Sequence, residues 1–392
     1  MGSFILSHLH ALGGGVVGYL IPFLFVLSLV VFFHELGHFL IARWCGVRIL
    51  VFSIGFGPEI VGFNDRYGTR WKISAIPLGG FVKFFGDENA ASAPDTARVA
   101  SMNAEERSYS FIFQPVIKRA AIVAAGPFAN FLLAIVIFAA VFMLYGKPTI
   151  SARVDSVQPG SAAAEAGFQP GDLVVAIDGR AIDSFAEMQR VVSASAGETL
   201  SVTVDRGGAS TVLHATPALK EVKDNFGNVQ RIGILGISRS MAPEDLKLHP
   251  VGPMQAIWMS VEETWSVIDR TMRYIGGVIA GREAANQLGG PIRIAQMSGQ
   301  VASFGFVPLI QLAAVLSISI GLLNLFPIPL LDGGHLLFYL IEGLRGRPLP
   351  EKAQEVGFRI GLLVVLMLML FATRNDLCQY SWFAKIGACG GS

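Results

Sequence analysis

Val31-Phe32-Phe33-His34-Glu35-Leu36-Gly37-His38-Phe39-Leu40 places an H-E-x-x-H pattern inside an apolar run extending from about Val16 to Ala42. On a helix, residues four apart share a face, so His34 and His38 can offer imidazole nitrogens to one metal ion. Glu35, one position round, can reach a water on that ion, and zinc is the expected ion. The run is long enough to cross a bilayer, with Gly14, Gly15 and Gly18 loosening only its start. An ionisable side chain at mid-membrane costs about 2.5–3.5 kcal/mol, so several on one helix must face a protein interior, a cavity or a metal. A structural zinc site returns on the order of 10–16 kcal/mol, enough to offset that cost. The alternative reading is that the imidazoles are polar glue between helices.

Composition agrees with a membrane setting. Of 392 residues, 52% are hydrophobic and 15% charged, too apolar a balance for an ordinary soluble enzyme. A formal net charge of +1 argues against a nucleic-acid partner. Cys45, Cys378 and Cys389 fit neither a disulfide scaffold nor a thiolate zinc site, so metal ligands come from elsewhere.

A basic polar segment containing Arg43, Arg48, Arg66, Arg70, Lys72 and Lys83 follows the first span. The positive-inside rule makes it cytoplasmic, which puts the N-terminus outside and the metal pattern near the cytoplasmic end of the span. Within it, Gly55-Phe56-Gly57-Pro58 and Trp71 to Phe84, including Gly79-Gly80, read as strands. They are either a re-entrant sheet whose free edge receives substrate or a small cytoplasmic hairpin. Glu88 to Arg107 reads as a loop rich in Ala, Ser and charge. A second span runs from about Ala120 to Leu144, with a broken turn expected at Gly126-Pro127 and with Asn130 either packing helices or helping to hold the site.

From about Thr149 the chain reads as a soluble domain, with short strands at Ala152–Val157, Leu173–Ile177 and Leu200–Val204. Pro159-Gly160-Ser161 through Gln169-Pro170-Gly171-Asp172 to Ile177-Asp178-Gly179 resembles a bacterial PDZ domain. That resemblance implies a peptide segment or C-terminus as ligand, bound by strand addition, with Arg231–Ile237 as the groove strand; a spacer or size filter is the alternative. Met254 to Ile279 reads as an extracytoplasmic interfacial helix lying on membrane lipid. A third span begins near Val307 and ends in Asn324-Leu325-Phe326-Pro327-Ile328-Pro329-Leu330-Leu331-Asp332-Gly333-Gly334-His335. Two prolines one residue apart cannot continue a helix, and they leave carbonyls and the Asn324 amide open at membrane depth. A catalytic zinc commonly has three protein ligands, so Asp332 is the natural third, an ordinary Asp-Gly turn being the alternative; His335 is the weaker candidate, read rather as support or packing beside the site. A short fourth span runs from Ile360 to Ala372, and Cys378 and Cys389 beyond it lie on the oxidising side, where they can pair.

The fold expected is a multi-pass α-helical membrane protein of about four transmembrane helices, with a membrane-associated β-hairpin or re-entrant segment and one inserted extracytoplasmic PDZ-like α+β domain. Its boundaries are 1–148 for the N-terminal membrane half, 149–240 for the PDZ-like domain, 241–305 for a linker with the interfacial helix, 306–375 for the C-terminal membrane half and 376–392 for a tail.

His34-Glu35-x-x-His38, Asn324-x-x-Pro327-x-Pro329-x-x-Asp332-Gly333 and the intervening PDZ-like block together resemble the site-2 protease family of intramembrane metalloproteases, and within it the bacterial regulator-of-sigma-E group. Only one PDZ-like block fits here, so tandem-PDZ gating does not carry over. The resemblance implies one catalytic Zn2+ on His34, His38 and Asp332, Glu35 as general base and a zinc-activated water as nucleophile. It implies cleavage of single-pass membrane proteins, such as anti-sigma factors after a first extracytoplasmic cut or remnant signal peptides, in the bacterial inner membrane. Gly79, Gly80, Asn324, Pro327 and Pro329 are the expected substrate-binding residues, holding an unwound segment by strand addition. A transporter or a non-catalytic scaffold are the competing classes; the chain shows no inverted repeat of the broken helix.

Overall fold

The computed structural model describes residues 16–87, 101–182, 184–223, 229–239, 246–281 and 289–378. The chain divides into two compact units, one of Met1–Ala140 with Ile257–Ser392 and one of Val141–Ala256.

In the first unit, α1 (Val16–Trp44) is followed by β1 (Ile49–Asn64) and β2 (Arg70–Phe84). Each strand bends at its Gly/Pro cluster, and Arg70–Ile73 pair with both Val51–Ile54 and Val61–Asn64, while Ile49–Ile54 also pair with Gly80–Phe84. The two strands thus make four rows, with Val61–Asn64 and Gly80–Phe84 on the edges. Phe39 and Ala42 of α1 share a buried cluster with Ile49, Phe52, Val82 and Phe84, so the sheet lies on the helix that carries His34 and His38. The β-turn is tied to the same helix: Arg43 Nη2 donates to Asp65 Oδ2 at 2.6 Å and its guanidinium lies 4.6 Å from the Phe39 ring centre. Burial alone would raise the Asp65 carboxyl, but Arg43, the Thr69 and Tyr67 amides and the Trp71 indole hold it down at about 2.

A short helix α2 (Ala104–Ser108) follows, opened by a capping box between Asn103 and Glu106. It overlaps the end of the stretch read as loop, most of which (88–100) lies outside the described residues. Helix α3 (Val116–Tyr145) runs unbroken through Pro127, correcting the broken turn expected there. One lost backbone donor does not stop a helix whose buried face, from Ile122 to Ala139, holds its course.

The second unit holds β3 (Lys147–Ile150), β4 (Ser156–Val157), α4 (Ala162–Glu165), β5 (Leu173–Ile177), β6 (Arg180–Ala181), α5 (Phe185–Ala194), β7 (Leu200–Arg206), β8 (Ala209–Ala215), β9 (Ala218–Lys223), β10 (Val229–Ile234), β11 (Ile237–Ser238) and β12 (Leu246–His249). Strands β6-β5-β7-β8 form a four-stranded sheet over a core that includes Val154, Val174, Ile177, Val202 and Val204. Leu173–Ile177 forms as expected from its β-branched run, whereas of Ala152–Val157 only Ser156–Val157 is a strand, with Arg153 in an isolated bridge to Leu173. Arg231–Ile237 divides between β10 and β11, with Gly236 at φ +80 between them.

Helix α6 (Pro253–Ile279) leads on to α7 (Pro291–Ser303), α8 (Phe306–Asn324), α9 (Asp332–Arg345) and α10 (Glu351–Cys378). Val26 and Val30 of α1 bury against Leu309 and Ala313 of α8. Among the described residues, four helices are long and apolar enough to cross a membrane: Val17–Trp44, Val116–Tyr145, Phe306–Asn324 and Lys352–Cys378. The last is longer than the apolar stretch Ile360–Ala372 because the polar turns before it stay helical, with an Arg359–Glu355 pair four residues apart. The expected interfacial segment, α6, is amphipathic and is not among these spans. Cys45 is a free thiol; the pairing expected of Cys378 falls on Cys389, outside the described residues.

Candidate functional site

The site is assembled on α1. Its helical repeat stacks the His34 and His38 rings edge to face, with centroids 4.8 Å apart and Nε2 atoms 3.3 Å apart. Asp332 arrives from a distant part of the chain as the first residue of α9, where a helix N-terminus favours a carboxylate. Its Oδ2 lies 3.2 Å from His34 Nε2 and 3.6 Å from His38 Nε2.

Three electron-pair donors thus converge, all within 4.8 Å of one another. Asp332 Oδ2 is buried with only the two imidazoles beside it, a position that a shared cation would satisfy. Two donors each about 2.0–2.1 Å from a tetrahedral ion stand roughly 3.3–3.4 Å apart, so the observed spacings fit zinc. The ring hydrogen bonds point the same way: His38 Nδ1 meets the Ile122 carbonyl at 2.9 Å, and donating there leaves Nε2 with its lone pair facing Asp332. Asn130, fully buried, places its side-chain amide 3.3 Å from His34 Nδ1. A half-turn of that amide presents its otherwise unpartnered oxygen to Nδ1–H and frees His34 Nε2 likewise.

Helix α3 backs the site so closely that a Cβ on Gly126 would overlap His38 Nε2 and sit 2.8 Å from His34 Cε1. The same fit recurs at Gly37, whose Cβ would strike the Ala125 carbonyl, and at Gly321 of α8, where it would lie 3.1 Å from Asn130 Cβ. Ser317 Oγ donates to the Asn130 carbonyl at 2.9 Å. Gly126, expected as part of a broken turn packing against the first helix, lies instead in unbroken helix, and its missing side chain clears both imidazoles, a role for which the sequence carried no separate signal.

Glu35 faces the edge row of β2. The Val82 N–H reaches its carboxylate, and a Cβ on Gly80 would lie 3.0 Å from Glu35 Cγ. Gly80 is therefore beside the expected base, while Gly79, at φ +130, turns the chain against the Phe56 ring. Asn324 ends α8, Pro327 is exposed in the loop leading to Asp332, and Pro329 packs against Gly361 of α10. His335 lies one turn beyond Asp332 with its ring 5.3 Å from that of Phe358.

The model of peptidase family M50 matches residues 22–368. "Putative zinc metalloprotease Atu1380" of Agrobacterium fabrum is 52% identical over 372 residues, covering 95% of this chain and 99% of that protein. "Metalloprotease MmpA" of Caulobacter vibrioides is 41% identical over 390 residues, covering 94% of this chain and 97% of its own length. A protein of Rickettsia conorii, RC0203, is 32% identical over 363 residues, 91% of this chain and 98% of that protein.

Proposed function

The chain belongs to peptidase family M50 and is a zinc metalloprotease, and on that premise we propose that it cleaves single-pass membrane proteins within the bilayer. The observation that supports this most directly is the meeting of His34, His38 and Asp332, with Glu35 adjoining, on a helix long and apolar enough to span a membrane.

His34, His38 and Asp332 would hold the ion. Zinc, when bound, supplies Lewis acidity that polarises the scissile carbonyl and activates water near neutral pH. Glu35 takes the proton of the attacking water as its oxygen bonds to the carbonyl carbon, and delivers that proton to the departing amine nitrogen as the C–N bond breaks. A transmembrane helix keeps its carbonyls hydrogen-bonded, so the substrate must be unwound first. The edge row at Gly80, beside Glu35, is suited to pairing with the unwound segment; Asn324, at the end of α8, and Pro327, exposed in the loop that leads to Asp332, are the further groups we assign to holding it, with Pro329 shaping that loop. Anti-sigma-factor-like proteins already trimmed outside, and remnant signal peptides, are the substrate classes we favour, in a bacterial inner membrane with the N-terminus and inserted domain outside.

In the second unit, α5 and Gly233–Ile237 border a groove of about 170 Å³ lined by Phe185, Met188, Val192, Leu235 and Ile237. We read this unit as PDZ-like and the groove as a seat for a peptide end or extended segment with an apolar side chain. Helix α6, with Trp258 and Trp265 more than 60% exposed, is read as lying in the lipid interface.

Purified protein and a model transmembrane substrate provide the test. Cleavage should stop with a zinc chelator and return on adding zinc, and Glu35→Gln should be folded, zinc-loaded and inactive. Chelator-insensitive cleavage, or full activity in Glu35→Gln, would defeat the reading.

A further inference from the structure

The residues between the two prolines and Asp332 carry the third ligand, yet the surface that shapes them belongs largely to another helix. A Cβ on Gly361 of α10 would overlap the carbonyl oxygen of Pro329 and sit 3.0 Å from its Cβ, so the loop backbone rests directly on the α10 backbone. One turn earlier, Gly357 leaves room for the Phe338 ring, with Cζ 2.9 Å from where its Cβ would be, and for Pro329 Cβ at 3.8 Å. The two glycines, four apart, share one face and form a notch around Pro329. On its other side the loop is held by Gly333 and Gly334 of α9, where side chains would collide with the carbonyls of Leu325, Phe326 and Ile328.

Next to Pro329, which Gly361 and Gly334 hold from two sides, the exposed Leu330 adopts φ +102, which a bulky residue takes only when its surroundings impose it. Leu331 N–H then donates to Ile328 O at 3.0 Å, and Asp332 begins α9. The far end of α10 is also fixed. Asp376, 2% exposed, accepts from the backbone N–H groups of Gly290 at 2.8 Å and Arg293 at 3.0 Å, capping the start of α7. Helix α10 is therefore attached near both ends, and Pro329 is one of its attachment points.

We infer that α10 sets the position of the Asp332 ligand through the Gly361 notch, making Gly361 a positioning residue for the metal site although it touches neither metal ligands nor substrate. This rests on the zinc reading above. If Gly361 served packing alone, an added methyl would lower thermal stability and leave the metal bound as before. If it seats the ligand loop, the methyl displaces Pro329 and, three residues on, the Asp332 carboxylate. Gly357 is the built-in control, since the ring it meets can swing aside whereas a backbone carbonyl cannot.

The experiment measures zinc release from detergent-purified, zinc-loaded protein into excess chelator, alongside Tm. The parent's one zinc per chain checks the reading beneath the proposal, independently of the comparison between variants. Gly361→Ala should release zinc about 10–100-fold faster, the usual cost of losing a support behind a ligand, and Gly357→Ala should stay within about twofold of the parent. Leu330→Gly leaves the notch intact but uncouples Pro329 from Asp332, and should also speed release about tenfold, so the test stands even if Gly361→Ala fails to fold. Parent-like release from folded Gly361→Ala or from Leu330→Gly, or equal acceleration by Gly357→Ala, would overturn the proposal.

Discussion

Adding one methyl group at Gly126 should empty the metal site while sparing the fold. Built at ideal geometry, that carbon lies 2.5 Å from His38 Cε1 and 2.8 Å from His34 Cε1, and it overlaps His38 Nε2. To restore an ordinary separation of 3.4 Å, the His34 ring must retreat by about 0.6 Å and the His38 ring, whose Nε2 is the nearer atom, by more than about 1 Å. Metal–ligand distances tolerate about 0.2 Å, so both imidazoles leave their places together. The helix itself gains from the change, since alanine is favoured over glycine by about 1 kcal/mol in a helix interior. The expected result for Gly126→Ala is a folded protein whose zinc affinity is at least about 100-fold weaker, or roughly 2.7 kcal/mol. Chelator competition read by metal analysis, with thermal unfolding on the same preparation, measures both quantities. Parent-like zinc retention at a parent-like Tm would show that α3 does not crowd the imidazoles, and the geometry of the site would have to be redrawn.

Asn130→Ala removes the group that orients His34 and should weaken zinc binding about 10–100-fold by the same competition assay; unchanged affinity would make Asn130 a packing residue only. Asn324→Ala should keep its zinc and lose about tenfold in kcat/KM on a transmembrane substrate, the worth of one hydrogen bond near 1.4 kcal/mol; full activity would remove Asn324 from the site. In the second unit, the Arg206 fork, at 2.7 and 2.8 Å, holds the Asp172 carboxyl below its usual range against the opposing effect of burial. Because the folded value is the depressed one, this stabilisation is complete above about pH 4, the unfolded value, and is lost as pH falls through the lower folded value. Asp172→Asn should cost about 1.5–3 kcal/mol at pH 7 and flatten that acid dependence; an unchanged acid unfolding profile would refute the assignment.

The parts of the site legible in the chain were those governed by local rules. A helix brings residues four apart onto one face, so His34 and His38 are partners before any tertiary contact is made. Two prolines within three residues must end α8, and Asn324 is where it ends. Long apolar runs must be helical to satisfy their backbone in lipid, which makes the spans readable to within a few residues at α1, α3 and α8. Local rules misjudged Pro127, where packing along one face of α3 outweighs a single missing donor, and the start of α10, where helical propensity continues beyond the apolar stretch.

What no local rule supplies is convergence. Asp332 Oδ2 comes within 3.6 Å of both imidazoles only because α8 and α1 bury Val26, Val30, Leu309 and Ala313 together and the loop between α8 and α9 is wedged by glycines. The double pairing of β1 with β2, which sets Gly80 and Val82 against Glu35, likewise follows from bends that composition suggests but register alone determines. Gly126 reads in the chain as a helix weakness, and only the packed structure turns it, and Gly361 of α10, into clearances. A glycine's role is defined by the atoms opposite it, and those belong to helices remote in sequence.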